Sequence, residues 1–422
     1  MSVILYDIFL LFLRIGIPIA SLFNSKAKKW VQGRKNIFKK LKNSIPENEK
    51  IVWMHCASLG EFEQGKPLLE KIRFHYPQYK ILLTFFSPSG YEAKKNYDGA
   101  TWIFYLPLDG ARNARKFLEI VHPSLVIFVK YEFWYYYLKK IKYRNIPLIL
   151  VSALFRKNMS FFKWYGKLQR KMLGRFDHLF VQNQRSKDLI ENIGLSGICS
   201  ISGDTRFDRV IEIAQNFEPI SLIEKFIDGN KTLVAGSTWP EDEKVLQKTF
   251  NSNTSLKFII VPHEIDEKHL NEIQELFPNS ILFSRFQTSN LKPQTLNTLI
   301  IDNIGMLAHL YKYAFVTYVG GGLTSNGVHN VLEAAVYNKI VLFGPWYYKY
   351  NEAIGLVKSG GGISFNPFKK DEKSLQQIIE DLLNNSADYD QRSKAAGDFV
   401  FANKGATERI IQFIQEKRLL TN

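Results

Sequence analysis

From about residue 50 onward, short apolar runs alternate with amphipathic segments, and this alternation restricts the fold more than any other feature of the sequence. The runs are rich in β-branched and aromatic residues, as β-strands are. Strands this apolar belong in a parallel sheet that helices cover on both faces. Two intervening segments, 61–76 and 111–121, have helical periodicity. The first series of predicted strands comprises 51–57, 81–87, 101–106, 125–130, 147–153 and 178–183.

A second series of the same kind begins after residue 210, so the sequence predicts an α/β chain with two doubly wound parallel sheets. Its predicted strands comprise 232–238, 258–263, 280–285, 298–303, 315–321 and 340–345. The length of 422 residues suits two or three domains. Two such domains facing each other would leave a central cleft between the carboxyl ends of their strands, where ligands of open α/β sheets bind.

This organisation predicts four segments. Residues 1–40 form an anchor with a basic stretch. Residues 41–210 form the first doubly wound domain and residues 211–405 the second, and the hinge is expected near 218–226. The last segment, 406–422, contains an amphipathic helix that is expected to pack back toward the first domain.

The N-terminal run 3–23 is apolar over about the length that crosses a bilayer. Asp7 and Arg14 fall on one face of its helix, and Pro18 bends or ends it. Because charges near the middle of a span are costly, a helix lying in the membrane interface competes with one that crosses. A buried core helix is the alternative, and a cleaved signal peptide would carry its charges before the apolar run. The sequence therefore predicts a membrane anchor.

Basic residues follow the apolar run and suit anionic headgroups on the cytoplasmic leaflet. We call these residues the basic collar: Lys26, Lys28, Lys29, Arg34, Lys35, Lys39 and Lys40. The whole chain has a formal charge of +16, which favours anionic partners such as nucleic acid, lipid headgroups or phosphorylated substrates. The aromatic residues lie in strands more often than between basic residues, which weakens the nucleic-acid interpretation.

Cysteine and histidine usage predicts no metal site. Cys56 and Cys199 lie far apart in apolar stretches, which argues against a disulfide framework or a zinc site and favours the cytosol. His263 and His269 lie too far apart in the chain to match the HExxH spacing. The sequence has no GxSxG motif, so hydrolysis by a serine triad is not predicted.

Two glutamates follow strands of the first domain. Glu61, in HCASLGE, is a candidate general base, although an acid in the first turn of a helix also complements the helix dipole. Glu132, in VKYEFW, lies just beyond a strand and beside Phe133 and Trp134. It is a candidate for positioning an acceptor hydroxyl or a sugar ring, or else a turn acid beside core aromatics.

Two motifs of the second domain are candidates for binding a nucleotide. The text VGGGLTSNGVHNVLEAA (319–335) leads from a strand through glycines into a helix, an arrangement that turns backbone N–H groups toward phosphate. Glu333 would accept hydrogen bonds from ribose hydroxyls. The text matches neither GxGxxG nor the Walker pattern. In AGSTWPEDE (235–243), the Ser237 and Thr238 hydroxyls either bind phosphate or cap the helix that starts at Pro240.

In this order, the motifs resemble those of the 3-deoxy-D-manno-octulosonic acid (Kdo) transferases of lipopolysaccharide assembly. The most specific are S-x-G-E at 58–61, G-x-x-R-F-D at 203–208, and V-G-G-x-L with H-N-x-L-E-A-A at 319–335. The resemblance implies two Rossmann-like domains of the GT-B type, an N-terminal acceptor domain and a C-terminal CMP-sugar domain. It also implies inverting transfer of Kdo from CMP-Kdo to a lipid A precursor, at the cytoplasmic face of the inner membrane and without a cofactor.

The resemblance also assigns residues. Glu61 matches the family's proposed general base, and Glu132 matches the acid of the family's E-L-W text. Arg206 stands where the family often has lysine. The positions matching donor-binding residues are Arg206, Ser237, Thr238, Gly320, Gly321, Gly322, Asn330 and Glu333. The metal-free reaction that is implied leaves stabilisation of the departing phosphate to basic groups and helix N-termini.

The chain departs from the family pattern in three places. Lys130 replaces an acid, 152–154 read SAL in place of an Asn-Ala-Arg text, and 263–264 read His-Glu in place of Arg-His. The last two changes remove arginines, and Arg156 and Lys157 are the nearby candidates to replace them.

Two other functions stay open. A nucleotide-sugar epimerase of the same fold would have no use for the anchor, and a basic nucleic-acid-binding protein would show steep salt dependence.

Overall fold

The computed structural model describes residues 2–252, 256–288, 296–369 and 371–421. The chain divides into two compact units. The N-terminal unit comprises Met1–Arg209 together with Lys404–Asn422, and the C-terminal unit comprises Val210–Asn403. Each unit contains a seven-stranded parallel sheet, which confirms the predicted pair of doubly wound α/β folds.

The sheet of the N-terminal unit has the order β3-β2-β1-β4-β5-β6-β7. Its strands are β1 (Ile51–Cys56), β2 (Lys80–Phe85), β3 (Trp102–Tyr105), β4 (Pro123–Val129), β5 (Leu148–Ala153), β6 (His178–Val181) and β7 (Cys199–Ile201). The order reverses between β1 and β4, and such a switch point is where open sheets bind ligands. The predicted strands all form, and β7, only three residues long, was not predicted.

The sheet of the C-terminal unit has the order β10-β11-β9-β8-β12-β13-β14. Its strands are β8 (Thr232–Thr238), β9 (Lys257–Pro262), β10 (Ser280–Leu282), β11 (Thr298–Ile300), β12 (Val316–Val319), β13 (Ile340–Phe343) and β14 (Gly362–Ser364). The prediction of a strand over 280–285 was too long, because a helix begins at Phe283. Ser284 donates its backbone N–H and its hydroxyl to Asp302, which turns the chain out of the sheet.

Helices connect the strands and cover the sheets. The helices are α1 (Val3–Ala20), α2 (Ser25–Arg34), α3 (Ile37–Ser44), α4 (Leu59–His75), α5 (Pro88–Lys94), α6 (Ala111–Val121), α7 (Tyr135–Tyr143), α8 (Lys167–Leu173), α9 (Gln184–Glu191), α10 (Thr205–Gln215), α11 (Ser221–Ile227), α12 (Pro240–Ser252), α13 (Glu267–Leu276), α14 (Phe283–Thr288), α15 (Leu307–Leu310), α16 (Leu332–Ala335), α17 (Asn351–Ser359), α18 (Leu375–Asn384), α19 (Ser386–Ala402) and α20 (Ala406–Glu416). Short 3₁₀ turns lie at Ser160–Phe162, Ser196–Ile198 and Tyr311–Tyr313.

The N-terminal sheet is buried on both faces. Successive residues of β1 alternate between two cores, with Trp53 in one and Met54 in the other, as the two-residue period of a strand requires. The helix α20, from the far end of the chain, buries Ile410 and Ile414 in the second core. This packing explains why residues after 403 belong to the N-terminal unit.

The helix α1 lies against the N-terminal unit along one narrow face. Tyr6 and Leu10 are buried, and the Tyr6 hydroxyl donates to Asp109 Oδ2 at 2.7 Å. Asp7 accepts a hydrogen bond of 2.7 Å from the hydroxyl of Tyr136. Most of the remaining apolar side chains of α1 are exposed: Ile4, Leu5, Ile8, Phe9, Leu11, Phe12, Ile15 and Ile19. The helix is therefore held along one face by the packing of Leu10 and the hydrogen bonds of Tyr6 and Asp7, and it leaves most of its apolar side chains uncovered.

Candidate functional site

Glu61 lies where β1 turns into α4. Ser58 precedes the helix, and its hydroxyl donates to the Glu61 carboxylate instead of capping the helix backbone. Glu61 is in the first helical turn and is half-buried. A half-buried carboxylate can both reach a ligand proton and be partly shielded from water, which suits a general base. Its position also complements the helix dipole, so both interpretations fit the geometry.

Glu132 lies just beyond the end of β4 and is only 8% exposed. Its Oε2 accepts hydrogen bonds from Nε2 of His55 at 2.9 Å and from Nε1 of Trp134 at 2.6 Å. Lys130, in the turn between β4 and Glu132, has the left-handed φ of 67°. Non-glycine residues rarely adopt this conformation, and it is concentrated at functional sites. The structure therefore gives Glu132 fixed partners instead of the surface position of an ordinary turn acid.

A chain of hydrogen bonds fixes the imidazole of His55. Nε1 of Trp53 donates to the Thr84 hydroxyl at 2.8 Å, and that hydroxyl lies 2.9 Å from Nδ1 of His55. The backbone oxygen of Thr84, which can only accept, lies 3.0 Å from the same Nδ1, so Nδ1 has both a possible donor and an acceptor beside it. We assign a proton to Nε2 because this nitrogen faces the accepting carboxylate of Glu132. These three residues are not among the predicted site residues. The signal was available, because His55 and Thr84 are polar residues inside apolar strands and pair in register.

Arg156 and Glu61 both act electrostatically on Tyr131. The Tyr131 hydroxyl donates to the backbone oxygen of Leu154 at 2.7 Å. Burial raises the pKa of Tyr131, the Arg156 guanidinium opposes this shift, and the Glu61 carboxylate adds to it. One cation and one carboxylate thus act on the same phenol. Lys157, the other candidate replacement for the missing arginine, is exposed.

Arg206 and Lys130 act on one buried carboxylate of the N-terminal unit, Asp204. Nη2 of Arg206 lies 2.7 Å from Asp204 Oδ2. Burial alone would raise the pKa of Asp204, but the charges of Arg206 and Lys130 and the hydrogen bonds from Arg206 bring it below its usual value. The structure therefore places Arg206, predicted to bind the donor, in a cluster with the lysine that replaces a family acid.

The C-terminal unit has a buried carboxylate beneath its glycine-rich loop. Asp242 is 1% exposed. Its Oδ2 accepts the backbone N–H of Gly321 at 2.9 Å and of Trp239 at 3.0 Å, and its Oδ1 accepts the Tyr318 hydroxyl at 2.5 Å. Burial raises the pKa of Asp242, although these hydrogen bonds oppose the shift. Asp242 thus ties the loops after β8 and β12 together. Asp242 is not a predicted site residue, because in the sequence it is one of three consecutive acids at the start of a helix.

The three predicted glycines allow close backbone contacts. A Cβ at Gly320 would lie 2.2 Å from the backbone oxygen of Ser237, and one at Gly322 would lie 2.8 Å from the backbone nitrogen of Gly344. Gly321 has a φ of 84°. The N–H groups of Gly320 and Gly321 donate to Gly236 and Asp242 within the protein. The glycines therefore shape the loop, and the phosphate-facing role expected for these two N–H groups does not fit their bonding.

The two hydroxyls predicted to bind phosphate differ in placement. Thr238 is fully buried, and its hydroxyl donates to Oε1 of Glu243 at 2.9 Å. Its placement does not support direct contact with phosphate. Ser237 is half-buried and has the left-handed φ of 54°. Ser237 is therefore the stronger candidate of the pair.

Asn330 and Glu333 lie together after the glycine-rich loop. Nδ2 of Asn330 donates to Oε1 of Glu333 at 2.9 Å, and both side chains are half-buried. The predicted helix at this point is only the single turn α16, Leu332–Ala335. The side chains, not a helix dipole, are therefore the groups that this segment offers to a ligand.

An aromatic cluster that the sequence analysis did not predict lies in the turns after β8, β9 and β12. Nε1 of Trp239 donates to Nε2 of His329 at 3.0 Å, and the two rings are 13° from parallel. His263, one of the departures from the family pattern, stacks on both rings with centroids 4.7 Å and 4.5 Å away. Burial, with His263 adding to it, lowers the pKa of His329 to about 4, which suits a neutral acceptor.

The basic collar is exposed except at one residue. Lys26, Lys28, Lys29, Lys35, Lys39 and Lys40 are exposed. The guanidinium of Arg34 instead bonds to the backbone oxygens of Leu106, Phe86 and Trp30. Burial lowers the pKa of Arg34 to about 9. Arg34 thus attaches α2 to the sheet, and the lysines carry the exposed charge.

Comparison with known proteins identifies relatives by sequence and by fold. The crystal structure of a UDP-N-acetylglucosamine 2-epimerase has a TM-score of 0.60 at 14% identity, over 88% of this chain and 97% of that one. A putative enzyme of the same name from Listeria monocytogenes also has a TM-score of 0.60, at 13% identity over 89% and 98% of the two chains. At these identities the structural similarity shows only that the fold is of the GT-B type, and it does not indicate which activity the protein has.

The sequence relatives are more specific. Residues 31–209 match the model of a family described as 3-deoxy-D-manno-octulosonic-acid transferase (kdotransferase). The chain is 29% identical to the 3-deoxy-D-manno-octulosonic acid transferase of Aquifex aeolicus, over 81% of this chain and 88% of that protein. It is 25% identical to the Haemophilus influenzae protein of the same name, over 86% of each. Residues 31–209 therefore contain a 3-deoxy-D-manno-octulosonic-acid transferase domain, and most of the chain is similar to these transferases, which are glycosyltransferases.

Proposed function

We propose that this protein transfers Kdo from CMP-Kdo to a lipid A precursor in the assembly of lipopolysaccharide. The observation that carries the proposal is the family match together with two carboxylates, Glu61 and Glu132, at the switch point of the N-terminal sheet. The structural likeness to epimerases concerns the fold, so it does not favour epimerisation.

The proposed reaction is a displacement with inversion at the anomeric carbon of Kdo. An acceptor hydroxyl forms the new C–O bond while the bond from that carbon to the CMP phosphate oxygen breaks. Glu61 takes the hydroxyl proton, and the Ser58 hydroxyl holds its carboxylate. The half-buried position of Glu61 supports this role, because the carboxylate is ordered by a neighbour and still reachable.

Glu132 has a different proposed role, that of positioning the acceptor. His55 and Trp134 both donate to its Oε2, so its orientation is fixed before any ligand arrives. Such preorganisation is what places a hydroxyl for attack. We assign Glu61 rather than Glu132 as the base because only Glu61 is substantially accessible.

Donor binding is proposed for the C-terminal unit, with Ser237, Asn330 and Glu333 as contacting side chains. Asp242 would maintain the glycine-rich loop behind them. Departing CMP carries negative charge, and Arg206, which matches a donor-binding position, would offset it. The reaction as proposed draws this stabilisation from side chains of the protein.

We also propose attachment to the cytoplasmic face of the inner membrane through α1. This helix is the one span candidate among the residues that the structure describes, and 11% of it is buried. Asp7 contacts Tyr136, and the Arg14 guanidinium lies beside the backbone of Gly110, so both charged residues touch the N-terminal unit while remaining exposed. A helix held in this way favours lying in the interface, with its exposed apolar side chains in lipid and the collar lysines at the headgroups.

The test of the proposed activity is incubation of the full chain with CMP-Kdo and lipid IVA, followed by mass spectrometry of the lipid. A mass increase of one or more Kdo residues is expected. Release of CMP without sugar-bearing lipid, or conversion of a nucleotide sugar without any acceptor, would contradict the proposal. Partitioning into anionic vesicles, compared with a chain lacking residues 1–24, tests the anchor separately.

A further inference from the structure

A groove of about 860 Å³ lies on the N-terminal unit beside the carboxyl-terminal half of α1. Its walls come from α1, α2, α3, α6 and the segment that leads from β3 into α6. The volume is within the range of ligand sites for small molecules. Nothing in the proposed transfer reaction uses this groove.

The charge of the groove has one sign. Arg14, Arg34, Lys35, Lys39 and Lys116 line it, and no acidic residue is among the lining residues that the structure describes. Arg34 is turned into the protein, but the other four side chains are exposed. Exposed cations converging without acids attract a phosphate group.

The groove is also apolar. Pro18, Trp30, Val31, Ile37 and Phe38 contribute lining surface between the cations. The Lys116 ammonium lies 4.9 Å from the centre of the Phe38 ring, so charged and apolar surface adjoin directly. The indole Nε1 of Trp30 is buried and has no hydrogen-bond partner among the described residues. A buried N–H without an acceptor is costly, and Trp30, which carries it, is one of the lining residues.

The position of the groove indicates where such an occupant comes from. It adjoins Pro18 at the end of α1, whose exposed apolar face continues to Leu22 and Phe23. If α1 lies in the interface, the groove opens at the depth of lipid headgroups. A free anion would use the cations alone, whereas a phospholipid would use both the cations and the apolar walls.

We propose that this groove is a discrete site for one anionic phospholipid of the bilayer, with its phosphate among Arg14, Lys35, Lys39 and Lys116. The proposal rests on the membrane attachment proposed above and is independent of sugar transfer. It differs from general attraction to a charged surface, because it assigns one lipid to one site.

The site also adjoins the Glu132 network. Trp30 packs against Phe86 with ring centroids 5.8 Å apart, and Phe86 packs on Trp134 at 4.7 Å. Trp134 is the residue that donates to Glu132. A lipid that orders Trp30 would therefore touch a row of rings that ends at a proposed acceptor-positioning residue.

The test measures lipids retained by the full chain in native mass spectrometry, from neutral detergent micelles containing phosphatidylglycerol or phosphatidylcholine. No donor or acceptor is present, so a failed transferase assay would leave the result intact. One retained phosphatidylglycerol per chain is expected. The triple variant K35Q/K39Q/K116Q should lower its affinity by roughly 100-fold. The variant K35R/K39R/K116R should retain the lipid.

The matched control is K26Q/K28Q/K29Q, which removes the same charge from collar lysines outside the groove. It should still retain one phosphatidylglycerol. Equal loss in both triple variants would overturn the proposal, because diffuse attraction would then explain the binding. Displacement of the lipid by inorganic phosphate, or by lipid IVA in equimolar amount, would assign the groove to a free anion or to the acceptor and would also overturn it.

Discussion

Glu61 and Glu132 in the N-terminal unit differ from Asp242 in the C-terminal unit in the groups that hold their carboxylates. At the N-terminal edge, side chains hold the acids: Ser58 binds Glu61, and His55 and Trp134 bind Glu132. At the C-terminal edge, Asp242 accepts two backbone N–H groups as well as the Tyr318 hydroxyl, and it holds loops in place. This difference fits the proposed division of roles, with proton transfer in the N-terminal unit and donor recognition in the C-terminal unit.

The two edges share one feature, a serine in the left-handed conformation near the end of a strand. Ser152 and Ser237 each have a left-handed φ, 55° and 54°, and each lies where the register between neighbouring strands shifts. A bulge of this kind redirects the end of a strand. Both sheets therefore strain a serine at the same kind of position, and the difference between the edges lies in what the redirected chain presents.

The largest expected effect is at Glu61. Glu61→Gln keeps the size of the side chain but removes the base, so kcat should fall by roughly 100- to 10,000-fold. The measurement is the initial rate of Kdo transfer at saturating CMP-Kdo. Glu63→Gln on the same helix, whose wild-type carboxylate lies 3.4 Å from Lys94, is the control and should stay near wild type. A rate near wild type for the Glu61 variant would remove it as the base.

The second effect is at Asp242. In Asp242→Asn an NH2 group replaces one carboxylate oxygen. This group cannot accept the hydrogen bonds that the oxygen receives in the wild type, so the free energy of unfolding should fall by about 1–3 kcal/mol. Because the glycine-rich loop loosens, KM for CMP-Kdo should rise more than kcat falls. Urea denaturation and steady-state kinetics measure the two effects. The control is Glu241→Gln at the exposed neighbouring residue, which should change neither the free energy of unfolding nor the kinetic constants. If Asp242→Asn lowers kcat and leaves KM for CMP-Kdo unchanged, the proposed difference between the two edges is wrong.

A smaller effect is expected at Trp134. Trp134→Phe keeps an aromatic ring beside Phe86 but deletes the N–H that donates to Glu132, so kcat should fall by about tenfold. KM for CMP-Kdo should remain as in wild type, since this residue is on the acceptor side. Trp164, which is 91% exposed, offers the matched substitution Trp164→Phe. If both variants behave alike, the hydrogen bond to Glu132 does not position the acceptor.

The smallest effect is a pH dependence of stability at His329. Its folded pKa of about 4 is below the ordinary 6.5, so between these values the unfolded chain binds a proton that the folded chain does not. Stability should therefore be complete above about pH 6.5 and decrease as the pH falls toward 4. His329→Gln keeps an acceptor for Trp239 and should flatten this slope in urea denaturation of the C-terminal unit.

The control for this pH effect lies in the other unit. Burial also lowers the pKa of His178 to about 4. His178→Gln should flatten the slope for the N-terminal unit and leave that of the C-terminal unit unchanged, as hydrogen exchange of peptides from each unit would report. A C-terminal slope that survives in His329→Gln would show that another group titrates there.

The sequence predicts the sheets well because buried parallel strands require long apolar runs. The sequence does not predict β7 and β14, which have three residues each. It also does not predict α14, whose first turn depends on a hydrogen bond from Ser284 to Asp302, 18 residues later in the chain. Pattern alone does not distinguish the buried Asp242 from its exposed neighbour Glu241.

The candidate site was predicted in part. Glu61 and Glu132 were found because they follow strands in recognisable motifs, and they do lie at the carboxyl edge of the sheet. His55 and Thr84 were passed over, since their contact depends on the register between β1 and β2. The glycines were expected to face phosphate, but their spacing does not reveal that two of their N–H groups are used within the protein.

The most direct test of the division between the two edges is calorimetric binding of CMP to Glu61→Gln and Asp242→Asn side by side. The account predicts that Glu61→Gln binds CMP as wild type does, although it no longer transfers sugar. It predicts that Asp242→Asn binds CMP at least about tenfold more weakly. Unchanged CMP affinity in Asp242→Asn, or an equal loss of affinity in both variants, would contradict the assignment of donor recognition to the C-terminal edge.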